Sequence, residues 1–225
     1  MFDFTPVVHV IQKHILGYLM THREARFSEM RPPKTDTNLY SYHLKILIKQ
    51  GYVTKLEKGY TLGMKGGVYV DRVSSSTTKL RPQPKIITMV IIQNDEGDVL
   101  MYKKKRQPFI DLWTLPHGKV HNDDTSVEIS ARRELSEKVH NVNVPMLKHV
   151  GDSYIHVMHD NEIAISTLVH IFYGTTDAES IPVHMQWVQP LRVADETSAP
   201  GIVEIVQFAL ISKQYFFEEI ATDWR

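Results

Sequence analysis

The chemistry in this sequence is concentrated in Arg133-Glu134-Leu135-Ser136-Glu137-Lys138. Val127, Ala131, Leu135 and Val139 recur every fourth residue, so residues 125–140 are expected to form a helix with these four facing inward and Thr125 or Ser126 as its N-cap. On that helix Glu134 and Glu137 are three apart and Lys138 is four from Glu134, which places them along one exposed edge. Carboxylates gathered in one place repel each other, so a site of this kind requires cations. Lys138 can supply one itself by pairing with Glu134 at the favourable i,i+4 spacing. The plainer reading is an amphipathic surface helix held by a Glu–Lys salt bridge, with Glu128 and Arg132 as further solvated charges.

The residues before the helix favour a ligand-facing site. Trp113, Leu115, Pro116, Gly118, Lys119 and Val120 stand in the spacing Trp-x-Leu-Pro-x-Gly-Lys-Val. This phrase resembles the lead-in to the Nudix box, with His117 in place of the first glycine. Arg133 to His140 resembles the second part of that box, Arg-Glu-apolar-x-Glu-Glu-x-Gly. The resemblance covers about residues 85–220 and implies an α/β/α sandwich with a mixed sheet. It also implies catalytic roles for Glu134 and Glu137, which would hold Mg²⁺ (or Mn²⁺) to neutralise a diphosphate and activate a water, and for Arg133, which would orient a glutamate.

The departures fall inside the motif. The interval from Gly118 to Arg133 is one residue longer than the family's, and Asp124 or Thr125 stands where the loop glutamate would be. Lys138 replaces a glutamate, a change of +2 in local charge that should weaken Mg²⁺ binding. Lys138 could instead contact a ligand phosphate as a fixed cation, giving binding without hydrolysis. Ligand contacts are expected from His117, Gly118, Lys119, Lys138 and Arg106, with His121 flanking the same loop. The run Lys103-Lys104-Lys105-Arg106 faces the same cleft or is a solvated strand end. Asp177 and Glu179 are candidates for an additional acidic ligand or base.

The elements that must position these groups follow from periodicity. Residues 85–93 are almost continuously apolar and β-branched and read as a strand buried on both faces. Asn94–Asp98 is a turn, and Val99–Lys103 returns as a strand. Met146–Val150, Ser153–Met158 and Ile163–Tyr173 read as strands, with turns at Gly151-Asp152 and His159–Asn161. Residues 201–221 read as a C-terminal helix. The twelve histidines include no His-x-x-x-His pattern backed by a third ligand, so scattered surface or strand positions are expected. No Walker loop or dinucleotide fingerprint is present.

The first 73 residues read as three helices and a hairpin: residues 6–21, a short segment at Phe27–Met30, a helix over Asp36–Gln50, and strands at Tyr52–Leu56 and Tyr60–Leu62. Glu57-Lys58-Gly59 is the turn, with glycine where positive φ is expected. This plan, with Asn38–Lys55 and Gly59-Tyr-Thr-Leu62, resembles the winged helix-turn-helix of prokaryotic transcription regulators. The resemblance implies a recognition helix on double-stranded DNA, with Thr37, Asn38, Tyr40, Ser41 and Lys45 facing outward and Lys55 and Lys58 on the wing meeting phosphates. It also implies a homodimer on a two-fold site. A purely structural, protein-interacting module is the alternative. His43 reads as a packed histidine.

Charge supports two domains. Lys plus Arg equals Asp plus Glu at 26 each, yet residues 1–80 hold 12 basic against 6 acidic side chains and residues 81–225 hold 14 against 20. A basic half attracts polyanions. Ser74–Thr78 and Arg81–Pro84 read as a linker, giving domains 1–76 and 85–225 joined by 77–84. With 23% charged and 42% hydrophobic residues, wholesale disorder is excluded. The absence of cysteine excludes disulfides and thiolate chemistry. No apolar run spans a membrane and no signal peptide is visible, so a cytoplasmic location without membrane partners is expected. The fold class is α/β: an α+β winged helix followed by a Nudix-like sandwich. Three functions follow: a regulator binding DNA and a nucleotide-type small molecule, specifically a nucleoside-diphosphate derivative; an Mg²⁺-dependent Nudix hydrolase; or a non-catalytic interaction scaffold.

Overall fold

The computed structural model describes residues 7–74, 83–140, 142–178, 180–212 and 214–224. The chain divides into two compact units, Met1–Pro82 and Gln83–Arg225. The expected linker at 77–84 lies largely outside the described residues, as does residue 6, where the first helix is expected to begin.

In the first unit, α1 (Val10–Thr21) buries Ile11, Ile15, Leu16 and Leu19 on one face, as their helical spacing requires. Helix α2 (Thr37–Lys49) is capped by Asp36, whose carboxylate accepts from the Asn38 and Leu39 amides. It ends at Gly51, where Tyr52 N–H returns to Leu47 O and Gly51 N–H to Ile48 O, closing the helix on itself. Strands β1 (Val53–Lys55) and β2 (Tyr60–Leu62) form an antiparallel hairpin. Three details differ from expectation. Phe27–Met30 is a turn, not a helix. Gly59 does not have positive φ; it is required because a Cβ there would lie 2.9 Å from the Ala25 carbonyl, to which Tyr60 N–H donates. A further helix, α3 (Met64–Asp71), follows the hairpin.

The second unit is built on a mixed sheet of eight strands in the order β10-β7-β8-β3-β4-β5, with β6 also on β3 and β9 on β4. The strands are β3 (Lys85–Gln93), β4 (Val99–Lys103), β5 (Trp113–Thr114), β6 (His117–Lys119), β7 (Lys148–His159), β8 (Glu162–Thr175), β9 (Met185–Val188) and β10 (Phe216–Asp223). β3 lies parallel to β8 and β10 parallel to β7; the other pairings are antiparallel. Alternation along β3 sends Met89 and Ile91 into one core with Ile202 and Ile205 of α5 (Ile202–Ile211), and Val90 and Ile92 into another with Ala131 and Leu135 of α4 (Val127–Lys138). The central strand is thus buried on both faces, between two helical layers.

Two expectations here are corrected. The C-terminal helix stops at Ile211, and Phe216–Asp223 is an edge strand whose buried Phe216 and Ile220 mimic helical spacing. Gly151-Asp152 is not a turn: β7 runs straight through it with a register shift between His149 and Gly151.

Candidate functional site

The box loop is fixed by the central strand. β6 pairs with β3 so that His117 lies opposite Met89, Gly118 opposite Thr88 and Lys119 opposite Ile87. Ser126 caps α4, accepting from Ile129 N–H at 3.1 Å. The helix then presents Glu134 against Gly118, so closely that a Cβ on residue 118 would lie 1.7 Å from the Glu134 carboxyl carbon. Glycine is required there by this approach.

Glu134 therefore does not sit on an exposed edge; it is 5% exposed. Its two oxygens are both taken, Oε1 by Arg133 Nη1 at 2.6 Å and Oε2 by Lys138 Nζ at 2.8 Å. Burial pushes its pKa up, but Lys138 and Arg133 outweigh burial and hold it below the ordinary value. Arg133 also grips Asp124 through two bonds, Nε to Oδ1 at 3.1 Å and Nη2 to Oδ2 at 2.8 Å, and donates to the Lys119 carbonyl. The two bonds from Arg133 to its carboxylate, with that from His121 N–H, hold Asp124 far below the usual carboxylate range. Asp124 is therefore the partner of Arg133 and is not a spare acid. Glu137 stands apart, its side chain 56% exposed and 3.6 Å from Arg133. Glu128 pairs with Arg132 on the solvent side.

The residues present do not fit a divalent cation at the box. Each oxygen of Glu134 is already engaged by a cation, an ammonium stands at residue 138, and Glu137 is the more exposed of the two box carboxylates. A hard, doubly charged ion needs several oxygens in one shell.

A cleft of about 910 Å³ opens beside this helix, within the second unit. Its apolar wall includes Ile87, Met89, Ile155 and Val169, while among the described residues Lys85, Lys103, Lys104, Lys105, Arg106, Lys119 and Lys138 face it against Glu134 and Glu137. The run 103–106 thus belongs to the cleft. Burial, then the charges of Lys138 and Lys85, push Lys104 below its ordinary pKa. His117 lines it too; its Nδ1 is 2.9 Å from Leu115 O and so carries the proton as donor. Burial and then Lys138 lower His117 to about 4, leaving it neutral near pH 7. Burial, then Glu134, raise the Tyr102 hydroxyl, which stays a neutral donor. Gly118, His121 and His140 also line the cleft. Asp177 is exposed and does not line it, and Glu179 lies outside the described residues.

In the first unit, Thr37, Asn38, Lys45, Lys55 and Lys58 are exposed and Ser41 is half-buried. Tyr40 does not face outward: it is fully buried, edge-on to Phe27, and its hydroxyl donates to Phe27 O at 2.9 Å. Tyr42 and Leu39 are exposed instead, and Arg31 reaches the Thr37 hydroxyl at 2.7 Å. His43 is buried and stacked on His9.

A mixed sheet between two helical layers, with a helix carrying Arg133 and Glu134 against Gly118, defines a Nudix-type fold and box. The NUDIX domain family model matches residues 83–207, more than half the chain. The chain belongs to the NUDIX family. No curated protein matches the sequence. Among solved structures, the mutator MutT protein from Bacillus halodurans is similar with a TM-score of 0.50 at 19% identity, covering 61% of this chain and 90% of that one. The NUDIX domain of Shewanella oneidensis NrtR, complexed with ADP ribose, gives a TM-score of 0.50 at 15% identity, covering 64% and 96% respectively. Both likenesses concern the fold. No helix among the described residues is long and apolar enough to cross a membrane.

Proposed function

We propose that this protein is a transcription regulator whose Nudix unit binds a nucleoside-diphosphate derivative without hydrolysing it and whose first unit, a winged helix, binds DNA. The observation that carries the reading is the Lys138–Glu134 ion pair at 2.8 Å, which occupies the place of metal-binding carboxylates in a cleft with seven side-chain cations and two carboxylates. Such a cleft meets a diphosphate through its own lysines, while the apolar wall suits the rest of the ligand. The ADP ribose bound by the Shewanella oneidensis NrtR domain has this chemistry. Exposed Lys45, Lys55 and Lys58 on a unit with net positive charge suit phosphate contacts. The nucleotide test is a thermal-shift panel in chelator, with phosphate release scored in parallel. The DNA test is salt-dependent binding: Lys55→Ala and Lys58→Ala should each reduce the logarithmic salt slope by about one. Unchanged slopes would remove the wing from the interface.

A further inference from the structure

A second cluster of ligand-type side chains lies outside the cleft, on β7 and β8. Asp152 stands directly opposite His170 in the antiparallel register. His149, three residues before Asp152, would point to the other face of a regular strand. The register shift inserts Val150 unpaired, since His149 pairs with Phe172 and Gly151 with Ile171. That extra residue returns His149 to the face of Asp152 and His170. Both imidazoles then reach one carboxylate oxygen: His149 Nε2 and His170 Nδ1 are each 2.8 Å from Asp152 Oδ1. All three donor atoms lie within 4.8 Å of one another. The Tyr215 hydroxyl donates to the other oxygen, Oδ2, and the His149 ring stacks on buried Phe172. None of these four residues lines the Nudix cleft.

We propose that His149, Asp152 and His170 form a binding site for a divalent transition-metal ion, Zn²⁺ by ligand class, with Tyr215 holding the carboxylate in place. Two imidazole nitrogens and one carboxylate oxygen suit Zn²⁺ and not Mg²⁺, and three protein ligands leave a fourth position open. On binding, each neutral imidazole presents a lone pair at the nitrogen now facing Asp152 and carries its proton on the other ring nitrogen. The hydrogen bond from Tyr215 is the kind of outer support that orients a metal-binding carboxylate. The ion would pin β7 to β8 and, through Tyr215, to the segment entering β10.

The test uses the full chain, stripped with chelator and titrated with Co²⁺ as a spectroscopic stand-in, then displaced with Zn²⁺. One equivalent of Co²⁺ should give visible bands of a four- or five-coordinate ion, bleached by one equivalent of Zn²⁺ and unaffected by Mg²⁺. His170→Ala and Asp152→Asn should lose that equivalent, while Glu134→Gln in the box should keep it. Circular dichroism checks the fold of each variant. If His170→Ala does not fold, Tyr215→Phe keeps all three ligands and should weaken binding about 10–100-fold. No stoichiometric Co²⁺ uptake, uptake unchanged in His170→Ala, or loss in Glu134→Gln would each overturn the assignment.

Discussion

The box helix and the β7–β8 cluster both centre on one carboxylate, and they surround it differently. Glu134 is buried between a guanidinium and an ammonium. A guanidinium and an ammonium are donors only, so neither side chain offers a lone pair to a metal. Asp152 is instead met by two imidazoles and a phenol. Imidazoles can exchange a proton for a metal, so the same carboxylate chemistry is open there and closed in the box. The lesson is that a carboxylate's neighbours, more than its own type, decide whether it binds a cation.

The sharpest way to break the contrast is to reverse the charge at residue 138. Lys138→Glu removes one of Glu134's two partners and puts a like charge beside it. The expected loss is about 3 kcal/mol in urea unfolding without metal. Millimolar Mg²⁺ should then recover part of that loss in the variant and leave the wild type unmoved. A variant as stable as wild type would show that the ion pair contributes little.

Next in size is the pH dependence of the box loop. His117 is lowered by burial and then Lys138 from 6.5 to about 4. The unfolded chain takes up this proton below about 6.5, while the folded state resists until about 4. Stability from this group is therefore complete above that window and falls as pH drops through it, by up to about 3 kcal/mol. His117→Gln should flatten the curve across the window, and parallel curves would exclude this residue as the cause.

Gly118→Ala tests the close approach. Its Cβ must expel the Glu134 carboxylate, so about 2 kcal/mol of destabilisation is expected, read from the chemical midpoint. Smallest is Tyr215→Phe, which removes one hydrogen bond to Asp152 at a partly exposed site. About 1 kcal/mol is expected in metal-free protein, measured the same way.

Much of this was legible in the residues. The four-residue repeat from Val127 to Val139 located α4, because its apolar stripe had a single core to meet. The continuous apolar run of β3 marked a strand buried on both sides. Ion pairing between Glu134 and Lys138 followed from spacing alone, but the burial of Glu134 did not, because it depends on Gly118 approaching from another strand. The winged-helix resemblance puts Tyr40 on the outward face of the recognition helix, whereas its ring is buried and Phe27 O satisfies its hydroxyl inside the core. Phe216 and Ile220 lie at a spacing shared by a helix face and one side of a strand, so β10 was hidden. The cluster at Asp152 was invisible because one unpaired residue, Val150, sets which histidine joins it, and a bulge carries no clear sequence signal. The glycine pair Gly66-Gly67 masked α3 by lowering its helix propensity.

The proposed regulator requires that the cationic cleft bind a diphosphate through protein side chains alone. The most direct measurement is titration of the full-length protein with ADP-ribose and a panel of nucleoside-diphosphate derivatives in chelator and in Mg²⁺, following both melting temperature and product release. Stabilisation by at least one such ligand in chelator is expected, with no release in either condition. Release that requires Mg²⁺ and disappears in Glu134→Gln would contradict it and make the box a working hydrolase.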